Sequence, residues 1–272
     1  MIWRRFRRSK LAVIALIYVL LVALIAVVAP VITADPNAID LASRLAPPNP
    51  AHPLGTDDLG RDIYARLVHG ARVSLTVGFS ATAIALVIGS LLGALAGYYG
   101  GVADWIVSRA IEVVLCFPFL LLVLAIVALF GPSFLTIMIA LGLTSWTSEA
   151  RFMRGEFLRI REMEFAQAAR ASGARDARII FRHLLPNALA PVLVSASFGV
   201  ASAILVESAL SFLDMGVPPP TPSWGNILTV AERHIDYAWW LVLFPGVAIF
   251  LTVAAFNIIG DRVRDALDPR SE

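Results

Sequence analysis

Glu164-Phe165-Ala166-Gln167-Ala168-Ala169-Arg170-Ala171-Ser172-Gly173-Ala174-Arg175-Asp176-Ala177-Arg178-Ile179-Ile180-Phe181-Arg182-His183-Leu184-Leu185-Pro186-Asn187 is the longest mixed polar stretch of the chain, set between two blocks that read as hydrocarbon. Eight arginines, Arg151, Arg154, Arg159, Arg161, Arg170, Arg175, Arg178 and Arg182, crowd in and around it, yet its alanines and aliphatics keep helical spacing. That combination predicts helix on a charged surface. Phe165 to Ala169 are good helix formers with a small-residue face, and Ser172-Gly173 is where such a helix can turn, because glycine accepts the left-handed conformation of a helix end. A second helix is expected from about Ala174, with Ile179, Ile180, Leu184 and Leu185 as its apolar stripe, and Pro186-Asn187 is expected to redirect the chain.

Outward from this stretch, composition fixes the class. Of the 272 residues, 58% are hydrophobic and only 15% charged, and mean hydropathy is +0.79, which excludes a water-soluble domain. Leu11 to Ile32 is an apolar run long enough to cross a bilayer, at about 20 residues per span, and it follows Arg4, Arg5, Arg7, Arg8 and Lys10. The apolar core of a cleaved leader is shorter, at about 7 to 15 residues, so this run reads as a retained first helix. Further spans are expected at Val73 to Gly97, Ile111 to Phe130, Ser133 to Ser148, Leu189 to Leu213 and Trp239 to Ile259. The fold class is therefore all-α, a polytopic membrane protein with six transmembrane helices. Its expected parts are a basic N-terminus with the first helix (1–32), an extracytoplasmic loop with a short amphipathic helix at Ile63 to Val68 (33–72), a five-helix core (73–260) holding the loop 149–188, and a tail (261–272).

Charge orients this topology. With both termini inside, seventeen of the 22 cations fall on the cytoplasmic side, including all eight of the central loop, while Arg44, Arg61, Arg66, Arg72 and Arg233 fall outside. Within the outer loop, His52-Pro53-Leu54-Gly55-Thr56-Asp57-Asp58-Leu59-Gly60-Arg61-Asp62 reads as a capped turn, its acids being spaced wrongly for a calcium loop. The proline-rich outer segment Asp214 to Ala238 is expected to lack regular structure. Gly89, Gly93 and Gly97 recur every four residues and form a ridge for close helix approach, within the chain or against another.

Chemistry is sparse. The four histidines are scattered singly, the one cysteine, Cys116, reads as a small buried hydrophobe, and the one lysine, Lys10, lies in no phosphate-binding loop. No catalytic residue, metal site or bound cofactor is expected, and no nucleic-acid partner. Glu207 is the one acid well inside a span, with Glu149 and Glu112 near span ends. It can line a translocation path and meet a substrate amine, or bond to a Ser or Thr of a neighbouring helix.

The central loop resembles that of binding-protein-dependent ABC importer permeases, in which Glu-Ala-Ala is followed by three residues, Gly, and after a longer interval Leu-Pro. Here Gln167-Ala168-Ala169, Gly173, Leu185 and Pro186 match that spacing, with Gln167 in place of the frequent Glu and His183 in place of the frequent Ile. Leu54-Gly55-Thr56-Asp57 with Gly60-Arg61-Asp62 is similar to the signature of the dipeptide, oligopeptide and nickel branch, and Ala209 to Leu213 with Pro222 to Asn226 is another family-like stretch. Asp214 departs from the small residue many relatives carry there. The resemblance implies a permease subunit of a type I ABC importer in the cell membrane, paired with a second homologous permease and two ATPase subunits that carry ATP and magnesium, and fed by an extracytoplasmic binding protein. It implies that Phe165, Ala166, Gln167, Ala168, Ala169, Gly173, Ala174, Asp176, Leu185 and Pro186 couple the chain to an ATPase subunit, with alternating access as the mechanism and short peptides as the cargo. Nickel, a nickel chelate or glutathione are alternative cargoes, and an ATP-independent carrier or channel is the alternative class.

Overall fold

The computed structural model describes Phe6 and residues 9–267. The basic cluster Arg4, Arg5, Arg7 and Arg8 and the end of the tail with Arg270 lie outside the described residues. Nine helices of eight or more residues carry the described fold: α1 Lys10–Ile32, α2 Ile63–Tyr99, α3 Gly101–Leu115, α4 Phe119–Phe130, α5 Phe134–Ile160, α6 Glu164–Ala171, α7 Leu185–Phe212, α8 Trp224–Glu232 and α9 Trp240–Leu267. Among the described residues there is no β-strand beyond one isolated bridge between Thr56 and Asp62.

Four of these, α1, α2, α7 from Pro191 and α9, are long and apolar enough to cross a membrane, and α3 with α4 makes a fifth if the pair, bent by 85°, counts as one span. The expected straight span over Ile111 to Phe130 is therefore a broken one. Cys116, expected in the core, is exposed at this break. The fourth expected span, Ser133 to Ser148, belongs to a longer helix, because α5 continues without interruption to Ile160 and carries Glu149, Arg151 and Arg154.

α2 also corrects the sequence reading. No separate short helix covers Ile63 to Val68; Asp62 caps a single 37-residue helix by accepting from the Ala65 amide at 2.8 Å, and nothing in the sequence interrupts it before Gly100. Gly70, Gly78, Gly89, Gly93 and Gly97 lie inside it because their missing Cβ atoms leave room for neighbours. A methyl group at Gly89 would lie 2.5 Å from the Glu149 Cβ, one at Gly97 2.6 Å from the Phe157 Cβ, and one at Gly93 would meet the Ala150 carbonyl. On the α5 side, Gly142 faces Ile84 in the same way. The ridge is thus an internal seam between α2 and α5, and around it pack Ala94, Met153, Phe157 and Ile160 on one side and Val77, Ala81, Ile137 and Leu141 on the other.

α1 lies against α2 and α9, with a hydroxyl contact of 3.2 Å between Tyr18 and Thr252, and leaves Leu20, Leu24, Val27 and Val31 exposed, as a helix facing lipid does. Residues 33–62 form a cap held by Asp57. Its carboxylate, 1% exposed, accepts from the Leu59 and Arg61 amides at 2.9 Å and from Arg61 Nε at 2.6 Å, with Arg66 Nε at 3.6 Å. The Trp240 indole donates to the Thr56 carbonyl at 3.0 Å and ties the cap to α9.

The segment Asp214 to Ala238 is not free of regular structure. Ser223 and Asn226 form a capping box that starts α8, and the Trp224 indole, 2% exposed, donates to the Leu67 carbonyl at 3.0 Å. The prolines all precede the helix, where no backbone donor is needed. Asp214 takes a left-handed φ of 59° where α7 ends, with the Met215 amide returning to the Leu210 carbonyl at 2.9 Å. Glycine suits that conformation best, and aspartate is among the few others that adopt it.

Candidate functional site

The central loop folds back onto the seam. α6 is short, and Gly173 ends it with φ 75° and nothing within 4 Å of where a Cβ would stand, so the glycine is required by backbone conformation and not by crowding. After one turn at Asp176–Arg178 the chain enters a π-helical segment, Ile179–Leu184, which leads directly into α7. Pro186 therefore does not redirect the chain. It occupies the first turn of α7, where its missing N–H costs nothing, and the wider π turn feeds the helix without a break.

The residues read as a coupling set divide into two faces. Ala166 is fully buried, and Ala169, Ala174 and Leu185 pack with it against Tyr98, Met153, Phe157, Ile160, Ile179 and Leu184 of the chain's own core. Phe165, Gln167, Ala168, Gly173 and Pro186 point away from it and are exposed. Asp176 is exposed as a residue, but its carboxylate accepts a 2.7 Å bond from the Tyr98 hydroxyl at the end of α2. Arg170 lies over the Tyr98 ring at 5.3 Å, and Arg161 donates to the Gly97 carbonyl at 2.9 Å. Tyr98, which the sequence reading did not single out, thus gathers both halves of the loop. Its signal in the sequence was its position directly after Gly97 of the ridge.

The one acid expected deep in the bilayer is fully enclosed. Glu207 accepts from Ser211 at 2.8 Å and from Ser74 at 3.3 Å, and Ser74 also receives the Trp224 amide at 3.3 Å. Of the two roles open to Glu207, these contacts are those of a hydrogen-bonded junction between α2, α7 and α8. A different carboxylate faces open space. A cavity of about 880 Å³ lies between the α3–α4 break, α5, α7 and the end of α9, and its wall includes Glu149, Thr147, Ser148, Ser195 and Ser202 together with apolar groups such as Phe117 and Phe198. Glu149 is 6% exposed, and its carboxylate accepts from the Ser195 hydroxyl at 2.5 Å. Sequence reasoning placed it at a span end because α5 was taken to stop there.

Two family models match the chain. Residues 89–272 fit the binding-protein-dependent transport system inner membrane component, and residues 1–48 fit the N-terminal transmembrane domain of oligopeptide transport permease C. The chain belongs to the first of these families. It is 45% identical over 98% of its length, and 88% of the relative's, to a dipeptide transport system permease protein of Alkalihalophilus pseudofirmus. A glutathione transport system permease protein of Pectobacterium atrosepticum is 42% identical over 82% of this chain and 74% of that one. Among solved structures, the fold is similar to a chain of the MetNI methionine ABC transporter in an inward-facing conformation, with TM-score 0.59 and 22% identity over 75% of this chain and 97% of that one. As a member of the family the chain is an ABC importer permease, a membrane subunit whose ATP hydrolysis is supplied by separate subunits.

Proposed function

We propose that this permease carries short peptides, delivered by an extracytoplasmic binding protein, into the cytoplasm by alternating access, together with a second homologous permease and two ATPase subunits. Peptide as cargo is supported by the names of the relatives, dipeptide permeases prominent among them, at 40% identity and above. Both termini lie in the cytoplasm on this reading, which the excess of arginine on that side supports. ATP and magnesium belong to the partners.

The observation that carries the coupling role is the two-faced packing of α6. A helix of eight residues is too short to hold its shape alone. Here Ala166 and Ala169 fix one side to the core, so Phe165 and Ala168 stand on a rigid mount and present a small, partly aromatic surface to a cleft on an ATPase subunit. Closing of the ATPase pair then moves this mount, and with it the π segment, α7 and, through Tyr98, α2. ATP shifts the equilibrium because docking differs between the two states.

The test follows from the two faces. In the assembled transporter reconstituted in liposomes, Ala168→Trp fills the docking surface without touching the core and abolishes ATP-driven dipeptide uptake, while the chain inserts normally. Uptake and ATPase co-purification at the level of the unmodified protein would rule out α6 as the coupling element.

A further inference from the structure

Glu149 poses a physical question that the coupling role leaves untouched. A carboxylate removed from water is costly unless a cation or several donors compensate it. At 6% exposure Glu149 has one hydroxyl, Ser195, and no cation within ion-pair distance among the described residues. The other acid on the cavity wall, Glu156, is engaged by Arg159 at 2.6 Å. Glu207, fully enclosed, has two serine hydroxyls and faces no part of this cavity. The incompletely compensated carboxylate is thus the one that opens onto the space between the helices.

Its neighbours are suited to a small polar solute. Ser145 lies one turn before Glu149 on the same face of α5, Thr147 and Ser148 directly precede it in the chain and line the same wall, and Ser202 lies two turns along α7 from Ser195. Phe117 and Phe198 supply apolar surface for side chains of varied size. At about 880 Å³ the cavity is at the upper end of the range for small-molecule sites, roughly 300 to 1,000 Å³, and so admits a short peptide with room to move.

We propose that Glu149 is the substrate-facing group of the translocation path, receiving the ammonium group of the peptide as it passes. This rests on the peptide-importer reading above. Hydroxyls along the wall exchange with the peptide's amides, and the phenylalanines leave the side chains unspecified. One carboxylate with a single hydroxyl partner holds an ammonium loosely enough to release it, as a transport path requires.

The experiment uses the complete transporter with Cys116→Ser, which removes the exposed thiol, and Ser145→Cys as a reporter one turn from Glu149. A cationic methanethiosulfonate reagent is expected to modify the reporter faster than a neutral one, and Glu149→Gln is expected to lower that ratio on the order of tenfold. In the same liposomes Glu149→Gln lowers dialanine uptake per ATP hydrolysed, again on the order of tenfold, with ATPase stimulation by the binding protein retained; Glu149→Asp restores part of the loss. Dialanine uptake by the unmodified complex with a reagent ratio indifferent to Glu149→Gln overturns the assignment of Glu149 and leaves the importer reading standing. An unmodified complex that takes up no peptide overturns that reading and the ammonium assignment with it.

Discussion

Tyr98 shows how one side chain joins parts of the chain that are distant in sequence. Its hydroxyl bonds Asp176 at 2.7 Å, and its ring carries Arg170 at 5.3 Å, so the two sides of the Gly173 turn meet on a single group at the end of α2. Tyr98→Phe keeps the ring and removes the hydrogen bond, a loss of about 1 kcal/mol. The inserted protein is expected to remain folded, while ATPase stimulation by the loaded binding protein falls roughly fivefold, the factor that goes with such an energy. Asp176→Asn combined with Tyr98→Phe separates the pair from its surroundings, since two changes in one interaction are not additive. Rates unchanged in both single variants would show that the bond carries none of the coupling.

At the scale of helices, the seam between α2 and α5 makes the sharpest prediction. Gly93→Ala sets a methyl against the Ala150 carbonyl and is expected to destabilise the protein by about 1 to 3 kcal/mol, read as a lower unfolding midpoint in detergent. Gly155, also in α5, has nothing within 4 Å of its missing Cβ, so Gly155→Ala is expected to be neutral or stabilising by up to about 1 kcal/mol. The sequence announced this seam through the four-residue glycine spacing, and it announced the membrane class and the loop through hydropathy and charge. It concealed whatever continued through polar or proline-bearing sequence. α2 runs on through His69 and Arg72, where the sequence reading ended a short helix, and α7 carries Pro186 in its first turn, which reads as a break. α8 hides behind a run of prolines and becomes visible only through its Ser223–Asn226 box. For the candidate site, the pattern picked out the residues of the loop, but not which of them face inward. Ala168 and Ala169 are neighbours of one type, and only the packing of α6 on Phe157 and Ile160 tells them apart. Glu149 was placed at a span end for the related reason that hydropathy ended the span before the helix ended.

At the scale of the whole molecule, the cap formed by residues 33–62 is held by the Asp57 knot. Arg61 and Arg66, 8% and 3% exposed, share that carboxylate, and Arg61 also has Asp58 at 3.8 Å. Asp57→Asn leaves the buried Arg66 guanidinium facing a neutral amide and Arg61 with only the more distant Asp58, and removal of one partner of a buried pair costs about 3 to 5 kcal/mol. The expected outcome is a cap, residues 33–62, that proteases cleave from the outer side at a rate well above that of the unmodified chain. A cleavage rate left unchanged would mean that the Trp240 bond and the turns suffice. The same knot adjoins the first turn of α2, whose other end is Tyr98. At 1.5 Å per residue that helix is about 55 Å long, and no proline interrupts it. A tilt of about 10° around its middle would swing each end by about 5 Å in opposite directions. On the importer reading proposed above, occupancy at the outer face and nucleotide state at the inner face would be two readings of one angle, with no messenger needed between them.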